Sequence, residues 1–157
     1  MCLSKVNAIF TKTDDRIIIG YKVFEIPIPY KNSEIFVEYT TGPMAKKVKS
    51  FFDSYIYPTN EWIKDCNEEK TDQDGKKYSI KLKALDGKRY PIGFHVIPEY
   101  SEALQYFEYE KPFISESHIS LLLKVKLRSL IAVGVENGMV VSVGREMFIF
   151  PEIIESS

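Results

Sequence analysis

The stretch HISLLLKVKLRSLIAVGVENGMVVSVGREMFIF, residues 118–150, decides the fold. Leu121, Leu123, Val125 and Leu127 occupy every second position, with Leu122, Lys124, Lys126 and Arg128 between them. Period-two alternation sends the two sets to opposite faces of a strand. The chain stays apolar until Glu136, Asn137 and Gly138 interrupt it, and Asn-Gly is a strong turn signal. MVVSV and EMFIF then read as two further strands.

Upstream, DRIIIGYKVFEIPIP (residues 15–29) reads as a strand rich in β-branched residues. Its Ile17–Ile19 run is apolar on both sides, which suggests a central position, and Pro27 and Pro29 end its pairing. EIFVEYTT (residues 34–41) reads as a second strand, hairpin-like with the first. After Gly42-Pro43, the spacing of Met44, Val48, Phe51, Phe52 and Tyr55 predicts a short amphipathic helix, although the aromatic rings keep a strand open. EWIKD, with the single tryptophan Trp62, reads as a helical turn or an edge strand. The polar segment from Cys66 to Tyr78 reads as an exposed loop turning at Asp74-Gly75. Its acidic residues lack the alternating spacing and terminal glutamate of a calcium loop.

YSIKLKALDGKRYPIGFHVI (residues 78–97) reads as a hairpin about Asp86-Gly87, both residues being able to take positive φ, with Pro91 at a bulge or an edge. PEYSEALQYFEYE (residues 98–110) reads as a helix started by Pro98, with Ala103, Leu104 and Phe107 on its buried side. The expected architecture is α+β: a single domain over residues 1–157, a mostly antiparallel twisted sheet with two or three helices packed against it.

The 157 residues are 45% apolar and 27% charged, enough for one domain with its own core. A net charge of −1 does not fit the basic stripe of a duplex nucleic-acid binder. Two cysteines, Cys2 and Cys66, make neither a disulfide framework nor a zinc set, so a reducing, cytoplasmic compartment is expected and no metal. No run approaches the ~20 apolar residues of a membrane span, and no membrane partner is expected.

Gly20, Gly93 and Gly144 each interrupt a strand. A glycine inside a strand marks a bulge or a close approach by another backbone or a ligand. Beside these glycines stand Tyr21 and Lys22, Phe94 and His95, and Arg145 and Glu146. If the three kinks rim one cleft, its cations, imidazole and rings suit an anionic nucleotide. No Ser-His-Asp order and no glycine-rich phosphate loop accompanies them.

The order MCL, GYKVF, GFHVIPEYSEALQYF, LLLKVKL, VVSVGREMFI resembles a group of small proteins encoded by bacteriophages, over most of the chain. More distantly it is similar to ADP-ribosyltransferase-like folds, which hold a nicotinamide dinucleotide. That resemblance implies Lys22 in the place of the family's arginine or histidine and Glu146 as the catalytic glutamate polarising a ribose hydroxyl. Lysine does not reproduce a bidentate guanidinium contact, and Gly93-Phe94-His95 stands where the family has Ser-Thr-Ser.

The leading expectation is therefore a non-enzymatic, phage-type accessory protein, working in the host cytoplasm if viral and without a cofactor. It would bind a nucleotide-like ligand or a host protein, counteracting host defence in that role, through Tyr21, Lys22, Gly93, Phe94, His95 and Arg145. The alternative is an ADP-ribosyltransferase-like enzyme using NAD and Glu146. A third reading is an assembly protein whose exposed strand edge pairs with a second copy.

Overall fold

The computed structural model describes residues 3–27, 48–50, 56–64, 69–79, 81–110 and 118–156. Along the chain come β1 (Lys5–Asp14), β2 (Ile18–Pro27), β3 (Val48–Ser50), β4 (Ile56–Tyr57) and β5 (Trp62–Lys64). The short strands β6 (Glu69–Thr71), β7 (Lys77–Ser79), β8 (Lys81–Lys83), β9 (Arg89–Pro91) and β10 (Phe94–Val96) follow. Helix α1 (Tyr100–Glu110) then leads to the two long strands β11 (His118–Glu136) and β12 (Met139–Ser156).

The β11–β12 hairpin is the spine. It pairs from Glu136↔Met139 at the turn to Leu121↔Ser156 at the far end. Asn137 and Gly138 both take left-handed φ, 47° and 81°, which matches the twist of a tight hairpin. The two strands expected after the turn are one, because β12 runs on through Gly144. Two strands share the other edge of β11: β2 pairs with its first half and β1 with its second. The changeover falls at Ser129, whose φ of 56° bends the strand.

The sheet curls until its edges meet. β10 pairs with β12, and Ile97 just beyond it exchanges both backbone hydrogen bonds with Tyr21 of β2, at 2.9 and 3.0 Å. Strands β2, β11, β12 and β10 thus form a closed ring. Its interior holds Phe24, Phe94, Val96, Leu121, Leu123, Val125, Leu127, Met147 and Ile149, all buried. A second core lies outside the ring, where Leu3, Tyr90, Ile97 and the α1 residues Ala103, Tyr106 and Phe107 cover Val141 and Val143. The α1 residues occupy one helical stripe. The Glu102 carboxylate ties the helix to the sheet by accepting from Val140 N–H at 3.2 Å.

This is a mostly antiparallel β structure with a single helix among the described residues, so the expected α+β architecture with two or three packed helices is overturned. The helix expected from Met44 is contradicted where it can be traced, since Val48–Ser50 pairs with β2 and Ile56–Tyr57 pairs with Val48 and Lys49. A short aromatic run satisfies both periodicities, and the neighbouring strand edge decides between them. The rest of that stretch, the strand expected over 34–41 and both cysteines lie outside the described residues. Within EWIKD, Trp62–Lys64 is an edge strand on β12.

The expected loop after Cys66 contains the β6–β7 hairpin. Asp72 Oδ1 accepts from the N–H groups of Asp74 and Lys76, both at 2.9 Å, and holds its turn. The hairpin over 78–97 is real only as far as Pro91: β9 pairs with β8, and β10 leaves to join β12. At its turn only Gly87 takes positive φ. β1 was not anticipated. Among the described residues no helix is long and apolar enough to cross a membrane.

Candidate functional site

Tyr21, Lys22, Gly93, Phe94 and His95 do gather, around β10 at the seam where the ring closes. The seam is tight. A Cβ on Gly20 would overlap Val96 Cγ1 and lie 2.9 Å from Ile97 O. On Gly93 it would lie 2.7 Å from Gly144 O, and on Gly144 2.8 Å from Arg128 O. The three glycines are thus places where one strand presses on another. Phe94 points into the ring, edge-on to Tyr57. Lys22 Nζ donates to His95 O at 2.9 Å, bracing the seam beside the Tyr21–Ile97 bridge. The Tyr21 ring packs edge-on against Tyr100, with centroids 5.2 Å apart.

His95 is buried on the other side of β10 from Phe94, in a chain of hydrogen bonds. Leu3 N–H donates to Tyr90 Oη at 3.0 Å, Tyr90 Oη lies 3.0 Å from His95 Nε2, and His95 Nδ1 lies 3.1 Å from Gly93 O. A carbonyl only accepts, so Nδ1 carries the proton. Nε2 then accepts from the Tyr90 hydroxyl, and every member of the chain is satisfied. This tautomer is assigned from the network. Burial, with the Lys22 ammonium adding to it, pushes the imidazole down to about 3, so it is neutral at pH 7.

Nearby, Tyr106 Oη and Glu136 Oε2 are buried with no hydrogen-bond partner among the described residues. Burial pushes the Tyr106, Glu136 and Glu110 side chains upward in pKa.

Glu146 lies apart from this group. Its carboxylate accepts from Arg128 Nε at 3.0 Å, Arg128 Nη2 at 3.2 Å and Ser129 Oγ at 3.1 Å. The Arg128 hydrogen bonds hold it below the usual carboxylate range, with Ser129 adding to them. Arg145 is half-buried between Gly144 and Glu146. The Glu146–Arg128 pair is partly solvated, so Glu146→Gln is expected to cost no more than about 1 kcal/mol in urea unfolding at pH 7. A larger loss would mean that the pair is screened from water.

Around Glu146 the outer face of the β5–β12–β11 sheet carries a group of residues the sequence reading passed over. Val125, Leu127, Met147 and Ile149 point into the ring. The residues between them, Lys124, Lys126, Arg128, Glu146, Phe148 and Phe150, therefore point out, and β5 adds Trp62 beside Phe148 and Lys64 beside Glu146. The Arg128 guanidinium carbon lies 3.9 Å from the Trp62 ring centroid. Lys126 Nζ stands among three rings, 4.5 Å from Phe148, 5.4 Å from Phe150 and 5.6 Å from Trp62. All three rings are only half-buried, and Lys64 and Lys124 are exposed. The signal was the K-x-K-x-R of β11 against the F-x-F of β12. Each reads alone as the polar or ragged side of a strand, and only their register makes them one surface.

Among the described residues no group of three histidine, cysteine, aspartate or glutamate side chains is placed to hold a metal ion. No protein-family model, no curated protein and no solved structure matches this chain, which leaves geometry as the ground for its function.

Proposed function

We propose that the chain is a binding protein for a nucleotide-like ligand, and that the outer face of β5, β12 and β11 receives it. The observation that carries this reading is the interleaving of Lys124, Lys126 and Arg128 with half-buried Trp62, Phe148 and Phe150. A nucleotide joins an aromatic base to an anion. Rings supply stacking for the first and cations neutralise the second. The seam first suggested by the glycines suits this role less well, because Lys22 and His95 are engaged there with other parts of the protein. Glu146 is likewise held by Arg128 and Ser129, an arrangement that supports binding over catalysis.

Trp62 is the single tryptophan of the chain, so intrinsic fluorescence reports on this face directly. Titration with purine and pyrimidine nucleotides is expected to quench it saturably, and Lys126→Glu is expected to weaken the effect about tenfold. A flat titration for all nucleotides at millimolar concentration would remove the reading.

A further inference from the structure

Resting on that reading, we infer that the natural ligand of the outer face is a single-stranded nucleic acid rather than a lone nucleotide. The face repeats its chemistry along a line. Lys124, Lys126 and Arg128 occupy alternate positions of β11, so successive cations stand about 7 Å apart, on the order of the phosphate spacing in a stretched strand. Lys64 lies beyond them, across Glu146.

The rings form a parallel row. Trp62 and Phe148 have centroids 5.9 Å apart, and Phe148 and Phe150 5.2 Å apart. A sheet that lines up aromatic rings beside cations offers successive unstacked bases a platform and their backbone a track. One nucleotide would use one ring and one cation and leave the rest idle. A duplex keeps its base faces stacked inside and gives the rings nothing to cover.

Charge separates this occupant from a second copy of the chain. The face carries four cations, Lys64, Lys124, Lys126 and Arg128, against the carboxylates of Glu146 and of Glu152, which follows Phe150 on the same side of β12, so two such faces apposed would repel. The protein as a whole has a net charge of −1, so the attraction comes from these local cations and not from the overall charge. Lys126 lies over the rings without a strand; with bases on the rings, its flexible stem carries the ammonium out to a phosphate. Ile19 stands opposite Lys126 on β2 and is 50% exposed, extending the apolar floor beside the track.

Fluorescence anisotropy tests this with labelled oligouridylate and oligothymidylate of roughly 15 nucleotides, within the site-size range of such platforms. Both are expected to bind, with a mononucleotide competing at least a hundredfold less well and a duplex of equal length failing to compete. With Lys64, Lys124 and Lys126 available to phosphates on the track, log affinity is expected to fall against log salt with a slope of about −2. Trp62→Ala is expected to weaken binding about tenfold. Lys124→Glu and Lys126→Glu alter the surface alone and keep the test valid should the tryptophan variant not fold. Each is expected to lower affinity at least tenfold and flatten the salt dependence.

Mononucleotides that quench Trp62 and compete as well as oligomers would overturn this inference and leave the nucleotide reading standing. Neither quenching nor oligomer binding would overturn both. Oligomer binding untouched by either lysine reversal would move it to another surface and overturn the inference.

Discussion

Tyr90→Phe is expected to lower the unfolding free energy by about 3 kcal/mol, although it removes one oxygen and no packing. The Tyr90 hydroxyl accepts from Leu3 N–H and donates to His95 Nε2. Tyr90 and Leu3 are fully buried and His95 nearly so. Deleting the oxygen leaves a buried donor and a buried acceptor without partners at once, each worth about 1–3 kcal/mol. At roughly 2–4 °C per kcal/mol for a domain of this size, Tm should fall by about 6–12 °C. A loss below about 1 kcal/mol would mean that Leu3 and His95 find other partners.

The same chain makes stability depend on pH, and the sign follows from the imidazole. Its folded pKa of about 3 lies below the unfolded value of 6.5. Between those limits the unfolded state takes up a proton that the folded state refuses. Folding is therefore weakened as pH falls from 6.5 toward 3, by roughly 1 kcal/mol per pH unit, and the contribution is complete above 6.5. Glu110 and Glu136, raised by burial, pull the other way as pH falls. Asp14, Asp86 and Glu146 are lowered, so their contributions are lost as pH falls below their unfolded values of 3.8, 3.8 and 4.5, in the acid part of that range. The difference between parent and His95→Asn in urea unfolding, from pH 7 to pH 4, isolates the imidazole. Parallel profiles would show that it titrates normally in the fold.

Gly20→Val is expected to destabilise by about 3 kcal/mol or more, at the upper end of overpacking effects. The added carbons would meet Val96 Cγ1 and the Ile97 carbonyl. Both are fixed: Val96 is fully buried in the ring, and Ile97 is bonded to Tyr21. β2 must move away from β10, and the seam opens with it. Amide hydrogen exchange should show this locally, with Tyr21 and Ile97 losing protection before the β11–β12 hairpin does. Equal loss across the sheet, or wild-type stability, would contradict the role given to this glycine.

The long hairpin was legible because Leu121 to Arg128 alternate cleanly and Asn137-Gly138 has one strong conformational preference. Helix α1 was legible from Pro98 and its apolar stripe. The strand at Val48–Ser50 was not, because three residues pair with whatever edge is offered and the surrounding aromatics carry a helical spacing as well. The glycines were correctly read as close approaches, but sequence does not say whether a strand or a ligand does the approaching. Gly20 faces the Val96 side chain and the Ile97 carbonyl, and Gly93 the Gly144 carbonyl. Lys22 and His95 were placed together, while their engagement with each other and with Tyr90 depends on a contact between two edges of one sheet. The outer face was hidden for the converse reason: Trp62, Lys126 and Phe148 are ordinary residues on three strands, and only their register makes neighbours of them.

The sharing of β11 by β1 and β2 has a consequence for how the chain is made. Both early strands find their partner about a hundred or more residues downstream. As the polypeptide leaves the ribosome, the edges of β1 and β2 that face β11 stay bare until β11 emerges, so closure of the sheet is a late event in synthesis. During that interval the waiting edges are open to pairing with other nascent chains, a hazard that charges such as Lys5 and Lys12 on β1 and Lys22 on β2 oppose.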